Sequence, residues 1–94
     1  MKLFKNIDDK LEDIGLIKVR DNEHIVSYER VNTLLGYTHT IDILHKNNGK
    51  HIVQSYDRNL FDAKKIGNTC VGMTYQELKL ITKKMKQKGW KTEV

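Results

Sequence analysis

Apolar residues recur at Leu3, Phe4, Ile7, Leu11 and Ile14, with charges between them. This spacing predicts an amphipathic helix over about residues 3–14. Gly15 follows where a left-handed cap is wanted. The period then changes. Leu16-Ile17-Lys18-Val19 reads as a short edge strand and Asp21-Asn22-Glu23 as a turn. His24 to Val31 is rich in β-branched and aromatic residues and reads as a strand. Asn32 to Gly36 is a connection, unusually apolar through Leu34 and Leu35.

Tyr37 to Lys46 predicts a further strand, and Lys50 to Asp57 its returning partner. Between them stands Asn47-Asn48-Gly49, a strong hairpin signal because Asn and Gly tolerate the positive φ of a type I′ turn. A two-residue loop at Asn48-Gly49 sets Asn47 opposite Lys50. It then sets His45 opposite Ile52, Ile43 opposite Gln54 and Ile41 opposite Tyr56, on one better core face. Thr40, Asp42, Ser55 and Asp57 fall on the other face, together with the Leu44–Val53 pair.

Arg58 to Met73 is the least regular stretch and is read as a long loop or a short edge strand near Val71. Thr74-Tyr75-Gln76-Glu77 is a capping box. Tyr75, Leu78, Ile81 and Met85 then form an apolar stripe on a helix of about residues 74–88, which Gly89 ends. Trp90 is placed to fold back onto it. The expected fold is a single α+β domain over residues 1–94. It has an antiparallel sheet of three to four strands, with an N-terminal and a C-terminal helix packed on one face.

Composition narrows the class. The chain has 94 residues, 38% hydrophobic and 31% charged, with a net charge of +5 and no proline. One modest core is affordable at this length, and weak self-repulsion with periodic apolar residues argues against disorder. A lone cysteine, Cys70, excludes an internal disulfide and a multi-cysteine zinc site, and makes the reducing cytosol the expected location. Acidic residues interrupt the N-terminus, and no apolar run reaches the length of a membrane span, so no signal peptide and no membrane partner are expected. The charge is uneven: residues 74–94 hold six lysines against two glutamates.

That basic segment is the candidate site. Lys79, Lys83, Lys84, Lys86, Lys88 and Lys91 lie beside Trp90 and are suited to neutralising phosphates. On a helical wheel Lys79, Lys83 and Lys86 flank one side of the stripe, and Lys84 and Lys88 the other. The same arrangement suits lysines that snorkel from a surface helix or complement its dipole. Arginine, the usual base-reading side chain, occurs only as Arg20, Arg30 and Arg58.

Other constellations are weaker. His24, His39, His45 and His51 lack helical zinc spacing, and His39 and His45 stand about 20 Å apart along a strand. They read as polar residues at strand ends. Asp42 and Asp57 share the polar hairpin face and read as solvated carboxylates. Cys70 reads as a small buried hydrophobe. Gly67 and Gly72 match neither the P-loop nor the dinucleotide pattern. No catalytic residue, metal or cofactor is expected.

The order helix–strand–strand–strand–helix, with a basic second helix, resembles the double-stranded RNA-binding domain arrangement. That family carries its basic cluster at the start of the second helix. Here Thr74-Tyr75-Gln76-Glu77 opens the helix and the lysines follow. Three segments resemble small uncharacterised proteins of phages and prophages of low-GC Gram-positive bacteria: Val26-Ser27-Tyr28-Glu29-Arg30, Gly36-Tyr37-Thr38-His39-Thr40-Ile41-Asp42 and Met73-Thr74-Tyr75-Gln76-Glu77-Leu78-Lys79. This resemblance implies a source and no activity. The resulting expectation is a small non-enzymatic binding protein with a protein partner. Its alternative is a nucleic-acid-binding module using the C-terminal lysines, and a small enzyme ranks third.

Overall fold

The computed structural model describes residues 5–46, 49–62 and 69–90. In chain order its elements are α1 (Ile7–Asp13), β1 (Ile17–Asp21), β2 (Ile25–Asn32), β3 (Tyr37–Leu44), β4 (Ile52–Asp57), α2 (Arg58–Asp62) and α3 (Tyr75–Gln87). The strands form one antiparallel sheet in the order β1-β2-β3-β4. Both long-range helices, α1 and α3, bury their apolar residues against one face of it. This is the α+β arrangement that the sequence pattern predicts.

The two helices are built by the same local devices. Asn6 caps α1 through a reciprocal box with Asp9, and Thr74 caps α3 through a reciprocal box with Glu77. Each box satisfies backbone N–H groups that the first turn leaves without partners. The Asn6 cap starts α1 at Ile7, later than the apolar spacing suggests; Leu3 and Phe4 lie outside the described residues. Both helices end in a Schellman motif. Leu16 N–H donates to the Leu11 carbonyl at 2.9 Å and Trp90 N–H to the Met85 carbonyl at 2.9 Å. Gly15 and Gly89 supply the positive φ. In each case the residue after the glycine is folded back and buried, Leu16 at 0% and Trp90 at 5% exposure.

The core collects Leu11 from α1 and Leu16 from its cap. The sheet adds Val26 and Tyr28 from β2 and Ile41 and Ile43 from β3; Leu80, Ile81, Met85 and Trp90 come from α3 and its cap. Burying one such side chain is worth about 1.5–3 kcal/mol. The α3 stripe therefore differs from the expected one. Ile81 and Met85 face inward with Leu80, Glu77 and Lys84, whereas Tyr75 and Leu78 face solvent. Glu77 and Lys84 can lie on the buried side because each meets a half-buried counter-charge, Arg30 on the sheet and Asp8 on α1.

The β3–β4 register also differs from the expected one, by a single residue. Ile43 stands opposite Val53, Ile41 opposite Ser55 and His39 opposite Asp57. A one-residue slip turns the whole strand over. Val53 and Ser55 thus face the core, while Gln54 and Tyr56 join Asp42 and Thr40 on the open face. The cause lies at the hairpin end. His45 remains paired to β2 through its N–H to the His24 carbonyl, and Lys46 N–H donates to His51 Nδ1. The connection therefore runs beyond two residues. His45 and His51 stack at 4.9 Å, and His45 stacks on Trp90 at 5.0 Å, closing that end of the core.

The irregular stretch after β4 begins with α2, which the sequence pattern does not reveal. Asp57 Oδ1 accepts from Asn59 N–H and Leu60 N–H and so starts the turn. Asp57 is engaged locally and does not share a face with Asp42. The expected edge strand near Val71 forms as a single bridge, Tyr56 to Cys70, flanked by bonds from Asp57 N–H to the Thr69 carbonyl and from Val71 N–H to the Ser55 carbonyl. It covers the outer edge of β4. At the other edge, β1 carries an irregularity at Val19 that twists the strand and guards it against pairing.

Gly15 sits at φ +91°, and a Cβ there would lie 2.9 Å from Arg30 Cδ; Gly36, at φ +73°, has open space around it. Gly15→Ala is expected to cost about 1–2 kcal/mol from the backbone alone, with crowding of Arg30 in addition. Gly36→Ala should show only the backbone part. Urea unfolding midpoints of the two variants measure the difference.

Candidate functional site

The structure sorts the C-terminal lysines into two groups. Lys84 Nζ is buried against Asp8 Oδ2 at 3.2 Å and donates to Gln87 Oε1. Lys88 Nζ reaches Asp21 Oδ1 at 2.7 Å and the Asn22 carbonyl, and lies 5.3 Å from the Trp90 ring centroid. These two are internal braces and do not flank an exposed stripe. Lys79, Lys83 and Lys86 are exposed and have no carboxylate partner among the described residues. Lys91 lies outside the described residues.

Positions 79, 83 and 86 recur at i, i+4 and i+7, so the three ammonium groups share one side of α3. Tyr75, Leu78 and Thr82 lie among them and line a shallow groove with them. Tyr75 is 78% and Leu78 48% exposed, and Lys79 Nζ stands 5.9 Å from the Tyr75 ring centroid. The outer face of α3 is therefore apolar along its middle and cationic along its flank.

Asp8 is the hub behind this helix. It accepts from Tyr28 OH at 2.6 Å and pairs with Lys18 at 2.9 Å as well as with Lys84. Burial alone would raise its carboxyl, but the hydrogen bonds from Tyr28, Lys18 and Lys84 outweigh that and hold it below its usual value. Asp21 is held at about 2, chiefly by the Lys88 hydrogen bond and then by Lys18, against partial burial. Tyr28 is pushed upward by burial and by the Asp8 carboxylate.

A second polar chain runs under the start of α3. Arg30 Nη2 contacts Glu77 Oε2 at 2.6 Å and His39 Nδ1 at 3.2 Å, and His39 Nε2 lies 2.6 Å from Ser55 Oγ. A serine beside a histidine suggests a nucleophile and its base, yet the third partner reverses the polarity. Arginine can only donate, so His39 Nδ1 accepts and the neutral ring carries its proton on Nε2. The ring then donates to Ser55, whereas a serine hydrolase needs Nε2 as the acceptor and a carboxylate on Nδ1. His39 is held below its usual pKa, by burial first and by the Arg30 charge second. Burial would raise Glu77, but the Thr74 backbone hydrogen bond and Arg30 hold it below its usual value.

Of the remaining candidates, His45 and His51 stack on one another beside Trp90, and Asp42 and Cys70 line one concavity. His24 is exposed, and no group of three His, Cys, Asp or Glu side chains placed to hold a metal occurs among the described residues. Cys70 is exposed, contrary to its reading as a buried hydrophobe, because it lies on the outermost bridge of the sheet. Asp42 is engaged by Ser27 and Tyr56 on the open sheet face, a grouping hidden from the sequence by the one-residue difference in register. Among the described residues no helix is long and apolar enough to cross a membrane. In comparisons with known proteins, no family model, curated protein or solved structure matches the chain.

Two consequences are measurable. Asp8, Asp21 and Glu77 hold protons less readily in the folded chain, so their contribution is present above the unfolded carboxyl values of about 4 and is lost as pH falls below them, for Asp21 toward about 2. His39 is likewise favoured neutral when folded, so its contribution is present above about pH 6.5 and is lost as pH falls below that value. Urea-unfolding free energy should therefore drop in two stages on acidification. His39→Gln is expected to remove the upper stage and Asp21→Asn to shrink the lower. Arg30→Met should cost about 3 kcal/mol by leaving Glu77 buried without its cation, and Arg30→Met/Glu77→Leu should recover most of that loss.

Proposed function

We propose that this chain is a small non-enzymatic binding protein of phage or prophage type that docks an acidic segment of a host or phage protein on the outer face of α3. The observation that carries this reading is the exposed groove of Tyr75, Leu78 and Thr82 flanked by Lys79, Lys83 and Lys86, which have no carboxylate partner among the described residues. An apolar centre with a charged rim is the usual build of a protein-binding surface, and an exposed aromatic is a typical anchor. The cations supply complementarity to an acidic partner and set its rate of encounter. A nucleic-acid surface needs many phosphate contacts, and here Lys84 and Lys88 are engaged by Asp8 and Asp21.

Three baits test the reading: the native chain, Lys79→Ala/Lys83→Ala/Lys86→Ala, and Tyr75→Ser/Leu78→Ser. Each is offered to host lysate and to mixed DNA and RNA at about 50 and 200 mM salt. A protein captured by the native chain and lost from both variants is the expected result. A partner retained by both variants overturns the α3 reading. Nucleic-acid binding that collapses at the higher salt and disappears only in the lysine variant replaces it with the nucleic-acid-binding alternative.

A further inference from the structure

The open face of the sheet holds a second feature, of opposite charge. Asp42, in the middle of β3, is half-buried. Its Oδ1 accepts from Ser27 Oγ at 2.6 Å and its Oδ2 from Tyr56 OH at 2.8 Å. Ser27 and Gln54 stand directly opposite it on the flanking strands. It lines a concavity of about 450 Å³ with Val53, Gln54, Tyr56, Thr69 and Cys70.

The two hydroxyls fix the plane of this carboxylate without neutralising it. No Lys, Arg or His pairs with Asp42 among the described residues; Arg58, which reaches the same face, pairs with Glu29 at 3.0 Å and hydrogen-bonds to the Tyr56 hydroxyl rather than to the carboxylate. An ionised carboxylate offers about four acceptor positions on two oxygens. Ser27 takes one position on Oδ1 and Tyr56 one on Oδ2, so each oxygen keeps one. Two acceptor positions on the two oxygens of one carboxylate can meet the fork of a guanidinium, whereas an ammonium would use them as a point charge only. The Tyr56 ring in the same wall suits a planar cation, which stacks on aromatic faces.

We propose that the Asp42 concavity is a binding site for a guanidinium group, held bidentately by the Asp42 carboxylate that Ser27 and Tyr56 orient. It lies on the face of the sheet opposite α3 and is independent of the docking reading for that helix. The group arrives either on a free guanidino compound or on an arginine side chain of another protein.

Agmatine and a capped Gly-Arg-Gly peptide serve as probes, with N-butylurea as the neutral control. Binding is read by amide shifts of residues 42, 54, 56 and 70 and by slowed alkylation of Cys70, the sole cysteine. Saturable binding of agmatine near or below about 1 mM, with none by the urea, is expected. Asp42→Asn should weaken it about tenfold or more, because the charge-assisted pair is lost. Tyr56→Phe keeps the charge and should weaken it less. Binding of the peptide alone also supports the site and assigns it to a protein's arginine. Binding of neither probe, equal binding of the urea, or undiminished binding in Asp42→Asn overturns the proposal, and because the probe comparison uses the native chain it holds even if a variant fails to fold.

Discussion

Arg30 reaches from β2 into the seam where both helices meet the sheet, and each of its contacts belongs to a different element. Nη1 donates to the Ile14 carbonyl at the end of α1, and Nη2 meets Glu77 at the start of α3 and His39 on β3. Through His39 the link continues to Ser55 on β4. The charges suit the helix dipoles, with the cation at the C-terminal end of α1 and the carboxylate at the N-terminal end of α3. Gly15 leaves the room that the Arg30 stem occupies. A hydrophobic contact of similar area would tolerate sliding between helix and sheet. A guanidinium shared among a carbonyl, a carboxylate and a ring nitrogen does not, because displacement leaves buried groups unpaired.

The Asp8 hub performs the same task at the other end of the helix pair. Tyr28 brings a buried hydroxyl from β2, Lys84 a buried ammonium from α3 and Lys18 an ammonium from β1 to one carboxylate. A chain of this size buries only a modest core, and these ion pairs add directional contacts between helices and sheet. These charged knots therefore do structural work, and they explain why the electrostatic surface is smaller than the composition suggests. Of the five described lysines in the C-terminal cluster, Lys84 and Lys88 are engaged by the fold, and Lys79, Lys83 and Lys86 have no carboxylate partner among the described residues.

Local signals were legible in the sequence, and the structure follows them closely. Both capping features of α3, the glycine stops, the folded-back Trp90 and the strand order all follow from short-range rules. What escaped is the choice between buried and exposed positions where charge is involved. Binary pattern assigns every Lys and Glu to solvent, so it put Tyr75 and Leu78 on the inner stripe and missed the turn of α3 toward Glu77 and Lys84. The β4 register escaped for a related reason. Asn-Gly favours a two-residue turn, but the stack of His45, His51 and Trp90 is a long-range contact that no local rule contains. The slip decided which carboxylate and phenol meet, so Asp42 and Tyr56 were unreadable as a pair.

The same polar groups bear on what the domain can do chemically. His39 and Ser55 have the spacing of a nucleophile and base, but the proton on His39 is placed by Arg30 for bracing the fold. Changing that polarity would need an acceptor at Nδ1 in place of the guanidinium, and the guanidinium is the piece that joins the helices to the sheet. With Arg30 donating to Nδ1, His39 links β2, β3 and β4 as a brace. What remains accessible is a pair of surfaces on opposite sides of a rigid sheet, one cationic and apolar along α3, the other an oriented carboxylate in a concavity. The first sits on α3, which the Glu77–Arg30 and Lys84–Asp8 pairs fix to the sheet and α1, and the second centres on an inner strand hydrogen-bonded on both sides. That rigidity suits recognition, where groups held in place beforehand lose less freedom on binding.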